Sequence, residues 1–245
     1  MEKTNITILG DSLGKGMKIE NGKPQKLKTN AVEMLEKHYN IEINNNSCFG
    51  QTLKRIVERD MINGYLSNID DSKRNVVVFA VGGNDADYNW QAVAESPLTY
   101  QPPKTLEKEF ENLLIASIKQ LKEQNVEVWI CGIPPVNSGH YFENVIKKVA
   151  DGEKVMQFFK GDISNIQRHQ ELYNMILFKV AIKCNCQFFD IRSPFLQVKN
   201  TFEFYADDGV HPNEKGQEII ANQIIKILEN EKLIGIPDVN ISNIF

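Results

Sequence analysis

The chain has 245 residues, 28 basic and 32 acidic side chains and a formal charge of −4. That length suits one α/β domain, which buries roughly 70–75% of its unfolded surface and needs neither disulfide nor metal to build a core. The slight acidic excess argues against a general nucleic-acid partner, whose phosphates require a basic face. No apolar run approaches the roughly 20 residues of a membrane span.

Met1–Asn5 leads straight into a strand with no apolar signal core, and the expectation is a cytoplasmic protein. Thr4–Leu9 is the first predicted strand and Ile41–Asn46 a weaker second. Asn75–Val81 is apolar on both faces, as a central parallel strand requires. Val126–Cys131 and Cys186–Ile191 complete five. Helices are predicted between them over Pro24–Tyr39, Thr52–Leu66, Pro103–Gln124, Asp162–Cys184 and Asn213–Glu231. In Pro103–Gln124, Leu106, Phe110, Leu113, Leu114, Ile118 and Leu121 recur at helical spacing on one face. Strands alternating with helices predict a three-layer α/β/α, flavodoxin-like doubly wound sheet of five parallel strands.

The whole chain, 1–245, reads as one domain without repeat or linker. Two connections, 85–103 and 134–161, are longer than such a sheet needs. Ligands of open α/β sheets bind beyond the carboxyl ends of the strands, where both connections fall. Both are rich in aromatic residues, among them Tyr88, Trp90, Tyr141, Phe142 and Phe158. Cys48, Cys131, Cys184 and Cys186 include no Cys-x-x-Cys pair, so free thiols are expected and no zinc site.

Four short motifs fall at element ends. They are Gly10-Asp11-Ser12-Leu13, Ser47-Cys48-Phe49-Gly50-Gln51-Thr52, Gly82-Gly83-Asn84-Asp85 and Asp208-Gly209-Val210-His211. Taken singly, each is an ordinary turn or helix cap. Together and in order, they supply a serine, an imidazole to take its proton and a carboxylate to orient that imidazole. Gly50 has no side chain to block an oxygen approaching its N–H, and Gly82-Gly83 let the chain turn so that Asn84 faces a cleft. Pro212 suits the first turn of the last helix.

In this order the motifs resemble the SGNH, or GDSL-type, hydrolase superfamily, from Ser12 to His211. The resemblance implies an esterase or lipase-like enzyme without cofactor or metal. Ser12 would be the nucleophile, His211 the general base and then acid, and Asp208 its orienting partner. The N–H groups of Ser12 and Gly50 and the amide of Asn84 would form the oxyanion hole. Asp11 would be a supporting residue. A short-acyl ester, such as an O-acetyl carbohydrate or small molecule, is the expected substrate. A lysophospholipid or acyl thioester is the alternative on the same residues.

Tyr88 and Trp90, just beyond Asn84, are candidates to stack on a sugar ring, with Asp87 and Asn89 to bond its hydroxyls and His140 as a further contact. Ile133, Val136, Phe142, Val145 and Phe158 are candidates for an apolar groove. His38 suits a helix end, and His169, in a polar stretch, is expected to be solvated. Two other classes compete. A metal-dependent phosphoesterase would hold its ion through Asp11, Asn84, Asp208 and His211. A silent carbohydrate-binding domain on a decayed scaffold would have no reason to keep the whole set. Gly10-x-x-x-Gly14-Lys15-Gly16 fails as a phosphate loop in both spacing and its missing Ser/Thr. The apolar tail, from Leu233 to Phe245, is expected to dock on its own body or to form a homodimer contact.

Overall fold

The computed structural model describes residues 4–20 and 22–234. In chain order the strands are β1 (Thr4–Gly10), β2 (Met17–Glu20), β3 (Lys23–Lys26), β4 (Ile43–Asn45), β5 (Arg74–Ala80), β6 (Glu127–Cys131) and β7 (Gln187–Phe189). The α-helices are α1 (Ala31–Tyr39), α2 (Leu53–Glu58), α3 (Met61–Leu66), α4 (Trp90–Glu95), α5 (Glu107–Glu123), α6 (Ser138–Tyr141), α7 (Lys147–Val149), α8 (Gly152–Phe158), α9 (Asn165–Lys183), α10 (Ser193–Gln197) and α11 (Glu214–Asn230). A π-helical turn, Phe142–Ile146, joins α6 to α7, and a 3₁₀ turn, Thr201–Phe204, follows α10.

Five strands form one parallel sheet in the order β4-β1-β5-β6-β7, the predicted doubly wound arrangement. The chain steps from β1 to one side and then returns to the other, so the order reverses between β1 and β5. Their register pairs Ile6 with Val76 and Gly10 with Ala80, so both strands end together. A crevice opens where strand order reverses, and the loops after β1 and β5 carry Ser12 and Asn84 into it.

Side-chain alternation explains the layers. On one face Leu9, Val77, Phe79, Val128 and Ile130 pack against α2, α3, α5 and α9. On the other Ile6, Ile8, Val76, Trp129 and Cys131 pack against α1 and α11. Phe110, Leu114, Ile118 and Leu121 of α5 are essentially inaccessible. Burial of side chains of that size contributes about 1.5–3 kcal/mol each, which is why this helix follows its apolar stripe closely. The buried Gln217 joins α11 to α1, its Oε1 accepting from the N–H of Ala31 at 3.0 Å.

Several predicted boundaries shift for identifiable reasons. Pro24 does not open a helix: Lys23–Lys26 pairs antiparallel with Met17–Glu20 in a small hairpin. α1 starts after Asn30, whose side chain caps it by accepting from the N–H of Glu33. The helix expected over Thr52–Leu66 breaks at Asp60, which adopts φ 54°. α5 begins at Glu107 because the preceding residues are tied elsewhere: Pro103 bridges to Tyr88, and the N–H groups of Lys104 and Thr105 donate to the carbonyls of Asp87 and Asp85. Pro212 lies one residue before Asn213, the N-cap of α11, and bridges to Tyr205.

The two long connections are largely helical. α4, α6, the π turn, α7 and α8 form an insertion with a core of its own, built on Trp90, Val93, Phe142, Ile146, Val155 and Phe159. All four cysteines are free. Among the described residues no helix is long and apolar enough to cross a membrane. Leu233 and Ile234 pack on the α1–α11 side; the rest of the apolar tail lies outside the described residues.

Candidate active site

The tight turn after β1 places Ser12 at the carboxyl edge of the sheet, where its carbonyl accepts from the N–H of Met17. Asp208 and His211 come from the turn before α11. Asp208 Oδ1 accepts from the N–H groups of Val210 and His211 at 2.9 and 3.0 Å, folding the four residues into one turn. The other carboxylate oxygen lies 2.7 Å from His211 Nδ1, and His211 Nε2 lies 2.9 Å from Ser12 Oγ. Asp208 is nearly inaccessible. Burial raises its pKa, but the bonds and charge of His211 and the two N–H donors prevail and leave it below the usual carboxylate range. An ionised Asp208 requires the proton on Nδ1, leaving Nε2 to accept from the serine hydroxyl.

Gly50 and Asn84 line the same cleft, which encloses about 360 Å³ and also takes in Ser12, Asp208 and His211. Gly50 adopts φ 70°, and a Cβ there would meet only Arg55 Nη1, at 4.0 Å. Its backbone angle, rather than crowding, is what favours glycine at this position. Gly82 is more constrained, with φ 124° and a Cβ position 2.9 Å from Ile133 Cδ1. Among the described residues, the N–H groups of Ser12 and Gly50 have no protein acceptor.

Two buried carboxylates brace this edge. Asp11 Oδ1 accepts from the N–H of Leu13 at 2.9 Å, and Oδ2 accepts from the Asn84 amide at 3.2 Å. Burial pushes Asp11 up to about 6, against the Leu13 N–H, the charge of His211 and the Asn84 amide. Asp85 is wholly inaccessible. Its oxygens accept from the N–H of Leu53 at 3.0 and 3.1 Å and from Thr105 Oγ1 at 2.7 Å. Burial pushes it also to about 6, against the bonds from Thr105 and Leu53. Asp85 thereby ties the start of α2, three residues past Gly50, to the loop that carries Asn84.

The wall on the β6 side is fixed from behind. Arg192 Nη1 donates to the carbonyl of Ile133 and to Gln170 Oε1, and Gln170 donates to the carbonyl of Pro134. The Tyr205 hydroxyl donates to the carbonyl of Pro135. The insertion also grips the turn of His211. The N–H of Asn137 donates to the carbonyl of Gly209 at 2.8 Å, and Asn144 Nδ2 donates to the carbonyl of Asp207 at 2.6 Å. At Gly209, φ is 69° and a Cβ would lie 2.7 Å from that of His140.

Asp87, Tyr88 and Trp90 line the cleft. Trp90 is only 6% exposed and sits within the insertion core, its Nε1 donating to Tyr141 Oη. It therefore offers no open face to a sugar ring. Asn89 caps α4 rather than facing a ligand. His140 lies outside the cleft lining, its ring 4.6 Å from that of Phe202. Ile133, Val136 and Val145 line the cleft, whereas Phe142 and Phe158 belong to the insertion core. His38, in the last turn of α1, meets Glu229 at 3.5 Å.

His169 is half-buried in the cleft lining rather than freely exposed: its Nε2 is buried and its imidazole lies 4.9 Å from the Tyr88 ring. Phe49 was given no role by the sequence, yet its ring stacks on His211 at 5.9 Å and 12°. Its adjacency to Gly50 was the available signal. Among the described residues, no group of three or more His, Cys, Asp or Glu side chains is arranged to hold a metal ion.

A doubly wound sheet with serine, histidine and aspartate aligned at its carboxyl edge has the layout of a serine-type hydrolase. The family model for GDSL-like lipases and acylhydrolases matches residues 6–224, and the chain belongs to that family. It is a carboxylic ester hydrolase. No curated protein matches the sequence.

Among solved structures, a lipase/acylhydrolase from Enterococcus faecalis is similar at 16% identity and a TM-score of 0.63, over 94% of this chain and 97% of that one. A catalytic mutant of Axe2, an acetylxylan esterase from Geobacillus stearothermophilus, is similar at 17% identity and 0.63, over 92% and 94%. The psychrotrophic esterase EstA from Pseudoalteromonas sp. is similar at 18% identity and 0.58, over 94% and 99%. At these identities the likeness is one of fold.

Proposed function

We propose that the whole chain works as one hydrolase domain that cleaves a short-acyl ester, such as an O-acetylated carbohydrate or small molecule, through Ser12, His211 and Asp208. The observation that carries this reading is the continuous line from Asp208 Oδ2 to His211 Nδ1 and from His211 Nε2 to Ser12 Oγ. Ser12 Oγ attacks the ester carbonyl carbon while its proton passes to His211 Nε2. Asp208 stabilises the imidazolium without taking the proton. The carbonyl oxygen, now anionic, accepts from the N–H groups of Ser12 and Gly50 and from the Asn84 amide. His211 then gives its proton to the departing alcohol oxygen as the carbon–oxygen bond breaks. In the second half a water repeats the sequence on the acyl-serine, releasing the acid and restoring Ser12.

The modest cleft supports a short acyl group, and the shared fold with an acetylxylan esterase agrees with it. The test is release of nitrophenol from acetyl, butyryl and octanoyl esters by wild type, Ser12→Ala and chelator-treated protein. The expected result is a preference for acetyl, activity that survives chelation, and a loss of at least about 10³-fold in Ser12→Ala. Activity retained in Ser12→Ala, or removed by chelator, would transfer the reading to a metal-dependent phosphoesterase. A preference for octanoyl would move the substrate to a lysophospholipid or acyl thioester. No hydrolysis of any ester would leave a binding role.

A further inference from the structure

One arm of the cleft borders the insertion, and the polar groups there are organised. Trp90 Nε1 donates to Tyr141 Oη at 3.2 Å, and Tyr141 Oη donates to Asp87 Oδ1 at 2.9 Å. Lys104 Nζ donates to Asp87 Oδ2 at 2.7 Å. His169 lines the same cleft, and its Nε2 is buried and has no hydrogen-bond partner among the described residues. All five side chains line the same cleft as Ser12.

We infer that Asp87, Lys104, Tyr141 and His169 form a subsite for the uncharged, hydroxyl-bearing alcohol part of the ester, a sugar or other polyol, and select it over an apolar alcohol. The inference rests on the ester-hydrolase reading above and specifies which half of the substrate this arm recognises.

Three arguments converge on that class. First, Asp87 and Lys104 neutralise each other, so an anion entering the arm meets a carboxylate and a cation meets an ammonium. Second, burial lowers the pKa of His169, against the charges of Glu107 and Asp87, and keeps the imidazole neutral. Third, an apolar group seated against His169 would leave its buried Nε2 unpaired, a loss that a hydroxyl removes. A hydroxyl both donates and accepts, and the arm offers both: the spare N–H groups of Lys104 and the spare lone pairs of Asp87. His169 is held for the task, with its ring 4.9 Å from Tyr88 on one side and 5.4 Å from Tyr173 on the other. The cleft, at about 360 Å³, lies at the lower end of the roughly 300–1,000 Å³ of small-molecule sites. That volume suits a sugar unit better than a long chain.

Two measurements test the subsite. Hydrolysis of a mono-acetylated methyl xyloside is compared with that of cyclohexyl acetate, which has a ring of the same size and no hydroxyls. The wild type should favour the sugar ester in kcat/KM. That preference should fall about tenfold in His169→Leu and in Tyr141→Phe, mainly through KM, and return in part in His169→Asn. The second measurement requires no turnover: Ser12→Ala protein is titrated with methyl xyloside and with cyclohexanol, following tryptophan fluorescence. Saturable binding of the xyloside that weakens on adding His169→Leu supports the subsite even if no ester is cleaved.

Equal preference for the two acetates in wild type, or a preference untouched by both variants while Ser12-dependent hydrolysis persists, would overturn the subsite alone. Absence of hydrolysis together with intact xyloside binding would overturn the hydrolase reading alone. If the His169 variant fails to fold, the Tyr141→Phe comparison decides by itself.

Discussion

Asn84 carries two amide hydrogens, and one of them is occupied within the protein, donating to Asp11 Oδ2 at 3.2 Å. The bond fixes which way the amide faces and leaves the second hydrogen free for the oxyanion role proposed above. In Asn84→Ala, kcat on nitrophenyl acetate should drop about 10²–10³-fold with little change in KM, since the donor acts in the transition state. Asp11 has a cost of its own. Its pKa is raised to about 6 in the fold from 3.8, so the folded state holds the proton more tightly than the unfolded chain. The stability contributed is complete below pH 3.8 and is lost as pH rises through about 6. At roughly 1.4 kcal/mol per pKa unit, the loss is of the order of 3 kcal/mol. Thermal unfolding of wild type and Asp11→Asn between pH 4 and pH 8 should show the variant gaining stability relative to wild type as the pH passes about 6. A difference independent of pH would show that Asp11 titrates normally.

At the scale of elements, the edge of the cleft that carries Gly50 and Asn84 is assembled from loops far apart in sequence. Asp85 joins them: it accepts from Leu53 at the start of α2 and from Thr105 just before α5, while its neighbour Asn84 faces the cleft. Thr105→Val keeps the volume and removes one donor from a buried carboxylate. It should destabilise the fold by about 1–3 kcal/mol in denaturant titration. It should also lower kcat more than it raises KM, because the positions of Gly50 and Asn84 loosen together. Loss of stability with kcat intact would make Asp85 purely a packing residue.

The same scale explains what the sequence could and could not reveal. β1, β5, β6 and β7 were legible from short stretches rich in apolar residues, β4 only weakly because Ile43–Asn45 has a single apolar residue, and α5 because its stripe repeats at helical spacing. The hairpin of β2 and β3 was not legible: Lys23–Lys26 is exposed along its length, and Pro24 imitates a helix start. The motifs bearing Ser12, Gly50, Asn84 and Asp208–His211 were legible because each follows or precedes a regular element. The carboxylate braces and the place of His169 depend on partners 32 to 73 residues away or on another element altogether. No local pattern encodes such contacts.

Across the whole molecule, the sheet supplies the crevice and the insertion supplies its walls. The point between β1 and β5 where strand order reverses is a property of any doubly wound sheet. Part of the cleft lining instead belongs to the insertion and to α9, with Trp90, Tyr141 and His169. This division alone would let the insertion vary while the sheet edge stays fixed. The turn of His211 contradicts that separation, because Asn137 and Asn144 of the insertion hold Gly209 and Asp207, and Gly209 has no room for a side chain against His140 and Asn137. A transplant of residues 134–161 from a relative should therefore give a folded but poorly active chimera, and co-transfer of residues 205–212 should restore turnover. Comparable activity in both chimeras would show the two segments to be independent. In evolutionary terms, the insertion and the turn of His211 form one linked module, in which a change to the first bears on the second in the same step.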